Sequence, residues 1–502
     1  MDGPSRYTRG RYRLWDGVSL RAGTLVSTRP LAVTTLNDVA VEVLAELEDE
    51  QFTSPNAVAN ATGHDVEAIA NLLERLHRRR FLEWAPDRDE THRPPVSVVV
   101  TVRDDRAHLQ ASLDALDSLQ YGDYEVVVVD DGSTDRTESM VRSHPLSEDG
   151  RLEYVPVGSP AEPLGIGASR NRGVKVASHD VIAFTDADCR PRPEWLADLV
   201  PTLATHDLVG GRIRPAGETP ADAYEGVNSS LDMGAHAARV TRDGETPYLP
   251  TANLVGRRAV FESIPFPERN VAEDVDVCWR ALEAGYDVVY TPAGVVEHVY
   301  RTDVRSFASR RGDYGGSEAL LARTYGHGNA VSVPVWAVLA AVLAFTLLAG
   351  AGGPALLAMG VIGASAVGYS TFGFARTLRR LRATVGTETV LRSHARSVLS
   401  TTYAISREVT RYYAIALTLA VLAAVGLGAT TAGEVLALAL AATVALPAVL
   451  EYAIHRPATS PLQYGRYYLA DHLGYQLGVY RGALRYRTIA HLSPLVRFRI
   501  RT

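Results

Sequence analysis

Apolar and polar positions follow three different patterns along this chain of 502 residues. Between residues 96 and 300, short Val- and Ile-rich runs alternate with segments whose apolar residues recur at helical spacing. Two of the runs, 126–129 and 181–185, lead directly into Asp130-Asp131 and Asp186-Ala187-Asp188. Alternating strands and helices predict an α/β domain with a largely parallel sheet, whose ligand crevice lies at the carboxyl ends of the strands.

The pair Asp186 and Asp188 carries the first chemical indication. Residues i and i+2 of an extended chain point the same way, so these two carboxylates would aim at one spot. That arrangement is unfavourable unless a cation lies between them. The pattern therefore predicts metal-assisted chemistry, with a purely structural role for the two acids as the alternative.

Residues 1–90 show a second pattern, which predicts a winged-helix-like α+β domain. Strands are expected near 12–20 and 24–33, helices near 37–48, 54–62 and 66–80, and a return strand at 81–84. The run His77-Arg78-Arg79-Arg80 raises the possibility of DNA binding. The many acids around it leave no continuous basic face for phosphates, so no nucleic-acid partner is expected.

The third pattern is a set of four long apolar stretches after residue 330, at 331–350, 354–374, 412–430 and 435–454. Each is close to the roughly 20 residues that a helix needs to cross a bilayer. We therefore predict four transmembrane helices within 326–460, and the alternative is a buried helical bundle of a soluble protein.

Charge separates the two halves and orients the predicted spans. Residues 1–330 hold 35 basic and 52 acidic residues, whereas 331–502 hold 16 Arg and 5 acids. Basic loops stay in the cytoplasm, which places residues 1–330, the loop 376–411 and the tail 461–502 on that side of a cell membrane. The basic tail either lies on anionic lipid or forms a solvated helix against the catalytic domain.

At this point a resemblance to a known family becomes specific. Residues 96–300, within a predicted domain 91–325, resemble the family 2 glycosyltransferases of the GT-A fold. Five stretches carry the resemblance, in the family's order: Val98-Val99-Val100-Thr101-Val102-Arg103, Val129-Asp130-Asp131-Gly132-Ser133-Thr134-Asp135, Ala168-Ser169-Arg170-Asn171-Arg172-Gly173, Asp186-Ala187-Asp188, and Glu273-Asp274-Val275-Asp276-Val277-Cys278-Trp279-Arg280.

The resemblance implies a nucleotide-sugar donor and a divalent cation. Asp131, helped by Asp104, is expected at the nucleoside, and Arg170 is expected to orient the donor or a loop. Asp188, Asp186 and His298 are the implied cation ligands, with Asp186 also able to contact ribose. Carboxylates beside a diphosphate suit Mn²⁺ or Mg²⁺. For His298 the alternative is a strand-end histidine bonded to backbone.

The same resemblance implies an inverting transfer with one carboxylate as general base. We assign the base to Asp274, with the neighbouring acids Glu273 and Asp276 as alternatives. Glu273 and Asn253 are expected on the acceptor side. The two cysteines, Cys189 and Cys278, are interpreted as packed thiols without a disulfide.

The front domain resembles the PqqD-like peptide-recognition domains through Leu36-Asn37-Asp38-Val39-Ala40 and the helices behind it. This domain order is similar to that of glycosyltransferases in mycofactocin-type systems. It implies transfer of glucose from UDP-glucose onto a peptide-derived redox cofactor or its precursor. Two alternatives remain: a family 2 enzyme acting on lipid or cell-surface glycan, and a membrane scaffold that binds peptide without catalysis.

Overall fold

The computed structural model describes residues 8–28, 31–47, 51–268, 271–326, 371–382, 384–426, 430–489 and 491. The chain divides into two compact units. Met1–Gly23 and Thr35–Tyr300 belong to the first, and Thr24–Thr34 and Arg301–Thr502 to the second.

The front of the chain contains five short strands and three helices. They are β1 Arg11–Leu14, β2 Val18–Arg21, β3 Thr24–Thr28, β4 Leu31–Thr35, α1 Asp38–Ala45, α2 Pro55–Thr62, α3 Val66–Arg78 and β5 Leu82–Ala85. The three predicted helices are confirmed, and each starts at a residue whose side chain accepts a backbone N–H of the first turn: Asn37, Ser54 and Asp65. The predicted strand 12–20 was wrong as one element, because Gly17 at φ 79° turns the chain between β1 and β2.

An eight-stranded sheet forms the centre of the first unit. Its strands, in chain order, are β6 Val96–Val102, β7 Tyr124–Asp131, β8 Leu152–Val157, β9 Val181–Asp186, β11 Leu208–Gly210, β13 Ala238–Arg239, β14 Leu254–Arg257 and β15 Val288–Tyr290. The spatial order is β13-β15-β11-β14-β9-β6-β7-β8. Strands β6 to β9 are parallel, as predicted. The other half is mixed, because β14 runs antiparallel to both β9 and β11.

A small second sheet lies after β9 in the chain and completes the first unit. It consists of β10 Cys189–Pro191, β12 Ile213–Pro215 and β16 Val296–His298, with β16 in the middle. The helices of this region are α4 Arg106–Asp117, α5 Thr137–Arg142, α6 Pro145–Glu148, α7 Ile166–Val176, α8 Trp195–Leu199, α9 Pro220–Asn228, α10 Arg258–Ser263 and α11 Glu273–Glu283. The core strands β6, β7 and β9 are almost wholly buried, which explains their continuous apolar runs.

The part of the front domain that belongs to the first unit, which leaves out residues 24–34, is packed against this sheet. Arg239, on the edge strand β13, donates from Nη1 to Oε2 of Glu74 at 2.7 Å, and its guanidinium lies 4.4 Å from the ring centroid of Trp84. His236, three residues earlier, lies 2.8 Å from Oε1 of Glu83. The two parts of the unit therefore share a largely buried charged contact.

The second unit is helical. Its long helices are α12 Val304–Tyr325, α13 Thr387–Glu408, α14 Ala414–Gly426, α15 Thr430–His455 and α16 Pro461–Tyr486, with a π-helical turn Val409–Tyr413 before α14. Helices α12 and α16 pack backbone to backbone at glycines. A Cβ on Gly482 would lie 2.5 Å from the carbonyl oxygen of Gly316, and one on Gly478 would overlap that of Gly312. The start of the predicted tail is thus a helix that packs on α12.

The predicted membrane spans are only partly visible. The first, and the second up to residue 370, lie outside the described residues. The third, predicted at 412–430, overlaps the apolar helix α14, which has 13 residues, and its positions 427–429 lie outside the described residues. Within α15, the stretch Ala437–His455 is the part of the described chain that is long and apolar enough to cross a bilayer. Four spans, and their orientation, remain a prediction.

Candidate functional site

Two acids, Asp104 just after β6 and Asp131 at the end of β7, hold loops at the carboxyl edge of the sheet. Both carboxylate oxygens of Asp131 accept backbone N–H groups, from Leu164 at 2.6 Å and Gly165 at 2.8 Å. Asp104 accepts both the backbone N–H and the hydroxyl of Thr134, at 2.7 Å and 3.0 Å. These two predicted donor residues therefore lie on neighbouring loops, and each already organises the backbone around it.

Two glycines permit the close approach of these loops. Gly132 has φ 80°, and a Cβ there would lie 2.5 Å from the carbonyl carbon of Ser159. Gly158 has φ 57°, and a Cβ there would overlap Oδ1 of Asp131. A side chain at either position would push the loop 158–165 away from Asp131. The strand-end sequence and the following loop thus form one fixed wall of the crevice.

Asp186 is balanced by an arginine. Strand β9 ends at Asp186 and the chain turns at Ala187 and Asp188, so the extended geometry assumed for the Asp186–Asp188 pair does not hold. Arg170, on α7, donates from Nη2 to Oδ1 of Asp186 and from Nη1 to Oε1 of Glu273, both at 2.8 Å. Arg170 is 2% exposed. The positive charge of Arg170 therefore balances the negative charge of Asp186, where the sequence pattern predicts a cation.

The next residue, Asn171, fixes the segment that leads to α11. Its Nδ2 donates to the carbonyl of Phe266, and its Oδ1 accepts the Phe266 N–H, both at 2.8 Å. The ring of Phe266 also lies 5.6 Å from the guanidinium of Arg170. The Arg170-Asn171 pair therefore ties α7 both to the segment before α11 and to the first residue of α11.

Asp188 and His298 come together across the small sheet. Nε2 of His298 lies 3.6 Å from Oδ1 of Asp188. Cys189 Sγ belongs to the same group, since the three ligand atoms all lie within 4.8 Å of one another. Nδ1 of His298 is buried and has no hydrogen-bond partner among the described residues, which argues against a backbone-bonded histidine. Asp188 and His298 thus fit a divalent cation, whereas Asp186 faces Arg170.

Asp274 stands in the first turn of α11, beside Glu273. Desolvation by the surrounding protein, and then the negative charge of Glu273, raise the pKa of Asp274 to about 7, while Arg170 opposes the rise. Its Oδ1 accepts the N–H of Val275 at 2.8 Å, which leaves Oδ2 for a proton. A carboxylate with a pKa near neutrality is suited to general-base catalysis.

Comparison with known proteins decides the family. A sequence model described as "Glycosyl transferase family group 2" matches residues 181–446, more than half of the chain, and one described as "Glycosyl transferase family 2" matches residues 97–264. The chain belongs to the family 2 glycosyltransferases. Its first unit carries the α/β core that the sequence pattern predicts, and this core is GT-A-like, as the family resemblance implies.

Individual relatives of this glycosyltransferase cover parts of the chain. "Pre-mycofactocin glycosyltransferase" of Mycobacterium tuberculosis (strain ATCC 25618 / H37Rv) is 36% identical over 267 residues, 51% of this chain and 53% of the relative. "Glycosyltransferase AglE" of Haloferax volcanii is 34% identical over 208 residues, 39% of this chain and 64% of the relative. The match therefore spans about half the length of the first of these relatives.

Among solved structures, this glycosyltransferase is similar to "Mannosyltransferase PcManGT from Pyrobaculum calidifontis in complex with GDP-Man and Mn2+". The TM-score is 0.38 at 23% identity, and the match covers 62% of this chain and 88% of that one.

The two residues expected on the acceptor side of the glycosyltransferase have their polar atoms turned into the protein. Asn253 is 0% exposed; its Oδ1 accepts Nε1 of Trp195 at 2.8 Å, and its Nδ2 donates to the carbonyls of Gly294 and Arg212 at 2.8 and 3.0 Å. Glu273 is paired with Arg170. The polar atoms of both residues bond other residues of the protein, so both stabilise the structure around the site. Direct contact of either residue with an acceptor remains a prediction.

Sequence reasoning missed Cys189 as a member of the site. It is fully buried, and burial, followed by the charges of Asp188 and Asp186, raises the pKa of its thiol. The available signal was its position directly after Asp186-Ala187-Asp188. That signal became informative only once the pairing of β10 with β16 set Cys189 opposite His298.

Proposed function

We propose that this glycosyltransferase is a membrane-bound, inverting hexosyltransferase that moves glucose from UDP-glucose onto a peptide-derived redox cofactor or its precursor, as in mycofactocin biosynthesis. The observation that carries the chemistry is Asp274, a shielded carboxylate with a pKa of about 7, joined through Glu273 and Arg170 to the donor-side acid Asp186. Similarity to the pre-mycofactocin glycosyltransferase supports the choice of acceptor.

In this reaction an acceptor hydroxyl oxygen attacks the anomeric carbon of the sugar. The bond between that carbon and the diphosphate oxygen breaks, and the hydroxyl proton passes to the carboxylate of Asp274. Attack from the face opposite the leaving group converts an α-linked donor into a β-linked product. One carboxylate base is sufficient, because no second acid has to protonate the leaving diphosphate.

Asp188 and His298 are the residues that would hold a divalent cation, Mn²⁺ or Mg²⁺. Such a cation offsets the charge that develops on the leaving diphosphate. The residues around this cation site have separate roles. Asp131 and Asp104 fix the loops beside the nucleoside. Arg170 holds Asp186 close to α11, the helix that carries Asp274.

The front domain is proposed to hold the peptide acceptor, in the manner of a PqqD-like domain. Most of this domain belongs to the first unit and contacts the sheet through Arg239, which supports delivery of a tethered acceptor to the same unit that carries Asp274.

The test is a transfer assay on membranes that contain the protein. Membranes are incubated with radiolabelled UDP-glucose and the precursor peptide, and the small peptide product should be labelled. Asp274→Asn should abolish labelling, whereas Asp276→Asn should keep it, since Asp276 stands in the same turn but pairs with Arg280 at 2.5 Å. Unlabelled product with wild-type protein, or full activity of Asp274→Asn, would contradict the proposal.

A second candidate is transfer to a lipid or cell-surface glycan, favoured by the helix that is long enough to cross a membrane. The same assay separates the two: a label that partitions into organic solvent without added peptide indicates a lipid-linked acceptor, and a label that requires the peptide indicates the cofactor pathway.

A further inference from the structure

Cys189 and His298 form a directly opposed pair in the small sheet. The register of β10 and β16 sets Cys189 against His298 and Pro191 against Val296. Directly opposed residues of an antiparallel pair present their side chains on the same face, with Cβ atoms about 4.5–5.5 Å apart. The register of the two strands therefore places the thiol of Cys189 next to the imidazole of His298.

Asp188 completes a mixed set of three ligand atoms. Its Oδ1 lies 3.6 Å from Nε2 of His298 and 3.8 Å from Sγ of Cys189, and one ligand atom from each of the three residues lies within 4.8 Å of the other two. A tetrahedral zinc site with metal–ligand distances of about 2.0–2.3 Å requires ligand atoms about 3.3–3.8 Å apart. The set is thus within a few tenths of an ångström of that geometry on its two measured edges.

The ligand types distinguish this site from one built for a hard cation alone. Mg²⁺ selects oxygen ligands, whereas thiolate and imidazole together favour Zn²⁺ and softer ions. Three protein ligands leave the fourth tetrahedral position open. An ion of lower affinity for sulfur, such as Mn²⁺, would use Asp188 and His298 and leave the sulfur out.

We propose that Asp188, Cys189 and His298 form a binding site for a thiophilic divalent cation, Zn²⁺ or Cd²⁺. On binding, the S–H bond of Cys189 breaks, a sulfur–metal bond forms, and the proton passes to solvent. Because two of the ligands are those assigned to the transferase cation, a bound thiophilic ion is expected to inhibit sugar transfer. The binding itself requires no transferase activity, so it is testable even if the proposed reaction is wrong.

Cobalt(II) provides a spectroscopic test on the purified full chain in detergent. Thiolate-bound Co²⁺ gives a sulfur-to-metal charge-transfer band in the near ultraviolet, and Zn²⁺ should displace it. The chain has 2 cysteines, so one substitution at each identifies the ligand. Cys189→Ser should remove the band. The matched control Cys278→Ser should keep it, because Cys278 is equally buried but contacts the backbone of Leu249 instead.

Quantitatively, Cys189→Ser should weaken Zn²⁺ binding by at least the roughly 10- to 100-fold that loss of an outer-shell partner costs in metal sites. Absence of the band in wild-type protein that binds Co²⁺ would overturn the proposal without reference to any variant. A band that survives Cys189→Ser, or that disappears in Cys278→Ser, would overturn it as well. Cys189→Ala serves as a second variant if the serine protein does not fold.

Discussion

Replacing Arg170 by methionine is predicted to destabilise the first unit strongly. The substitution removes both 2.8 Å ion pairs and leaves Glu273 and Asp186 without their cation. Removing one partner of a buried pair costs about 3–5 kcal/mol, because a charge remains buried without compensation. The side chain of Asp186 is 28% exposed and can be rehydrated, whereas that of Glu273 is 11% exposed. We therefore expect a loss near the lower end, about 3 kcal/mol.

The assay is thermal unfolding of the full chain in detergent, followed by near-ultraviolet circular dichroism. In domains of 150–250 residues 1 kcal/mol shifts Tm by about 2–4 °C, and the first unit is somewhat larger, so a loss of about 3 kcal/mol should lower Tm by at most roughly 6–12 °C. Arg192→Met is the matched control. Arg192 pairs with Glu297 at 2.8 Å, but the two side chains are 54% and 30% exposed, so its loss should cost less than about 1 kcal/mol.

A double variant decides whether the unpaired carboxylate is the cause. In the double variant of Arg170→Met and Glu273→Gln, position 273 no longer carries a charge. Glu273 is the more buried of the two carboxylates that lose their partner, so the double variant should be more stable than Arg170→Met alone. A double variant whose Tm falls by the sum of the two single effects would refute this reasoning, because additivity indicates that Arg170 and Glu273 act independently.

Three further predictions concern other parts of the chain. Sugar transfer should decline as pH falls through about 7, because Asp274 must be unprotonated to accept a proton and its pKa is raised; a rate that is flat from pH 6 to pH 8 would contradict this. Arg239→Met should loosen the contact with Glu74, seen as faster limited proteolysis of the linker after residue 85, with unchanged proteolysis counting against it. Gly478→Leu should disrupt the packing of α12 on α16 and cost at least about 1–3 kcal/mol of stability. Gly465→Ala, with nothing within 4 Å of its Cβ, should leave stability unchanged or raise it by up to about 1 kcal/mol in the same unfolding assay, because alanine is the better helix former.

Much of the fold was predictable because its signals are local. The Val-rich runs of β6, β7 and β9 each contain enough consecutive apolar residues to be recognised, and the rule for parallel sheets then places their carboxyl ends on one edge. The antiparallel strands β11 and β14 have three and four residues, too few for any periodicity. The mixed half of the sheet therefore could not be read from the sequence.

The acidic residues of the site were predictable from the sequence, but the ion pairs that they form were not. Arg170 and Glu273 are 103 positions apart, so their contact depends on how α7 and α11 pack, which no local pattern encodes. The turn at Ala187 and Asp188 likewise reflects the start of β10 against β16. In the second unit the sequence does contain a signal. Gly474, Gly478 and Gly482 recur every four residues along one helix face, a spacing typical of close helix packing. The surrounding arginines, however, favour interpretation of this segment as a basic tail.

The buried contact at Arg239 changes how a role for the front domain has to be tested. Deletion of residues 1–90 would remove Glu74, Glu83 and Trp84 together and leave Arg239 on an exposed sheet edge without its partners. Lost activity after that deletion would follow from damage to the catalytic sheet as readily as from lost peptide binding. Peptide recognition and structural support are separable only at positions that face solvent, away from Arg239. Val39 on α1, 45% exposed, is such a position, so a substitution there that impairs peptide labelling while Tm is unchanged identifies recognition itself.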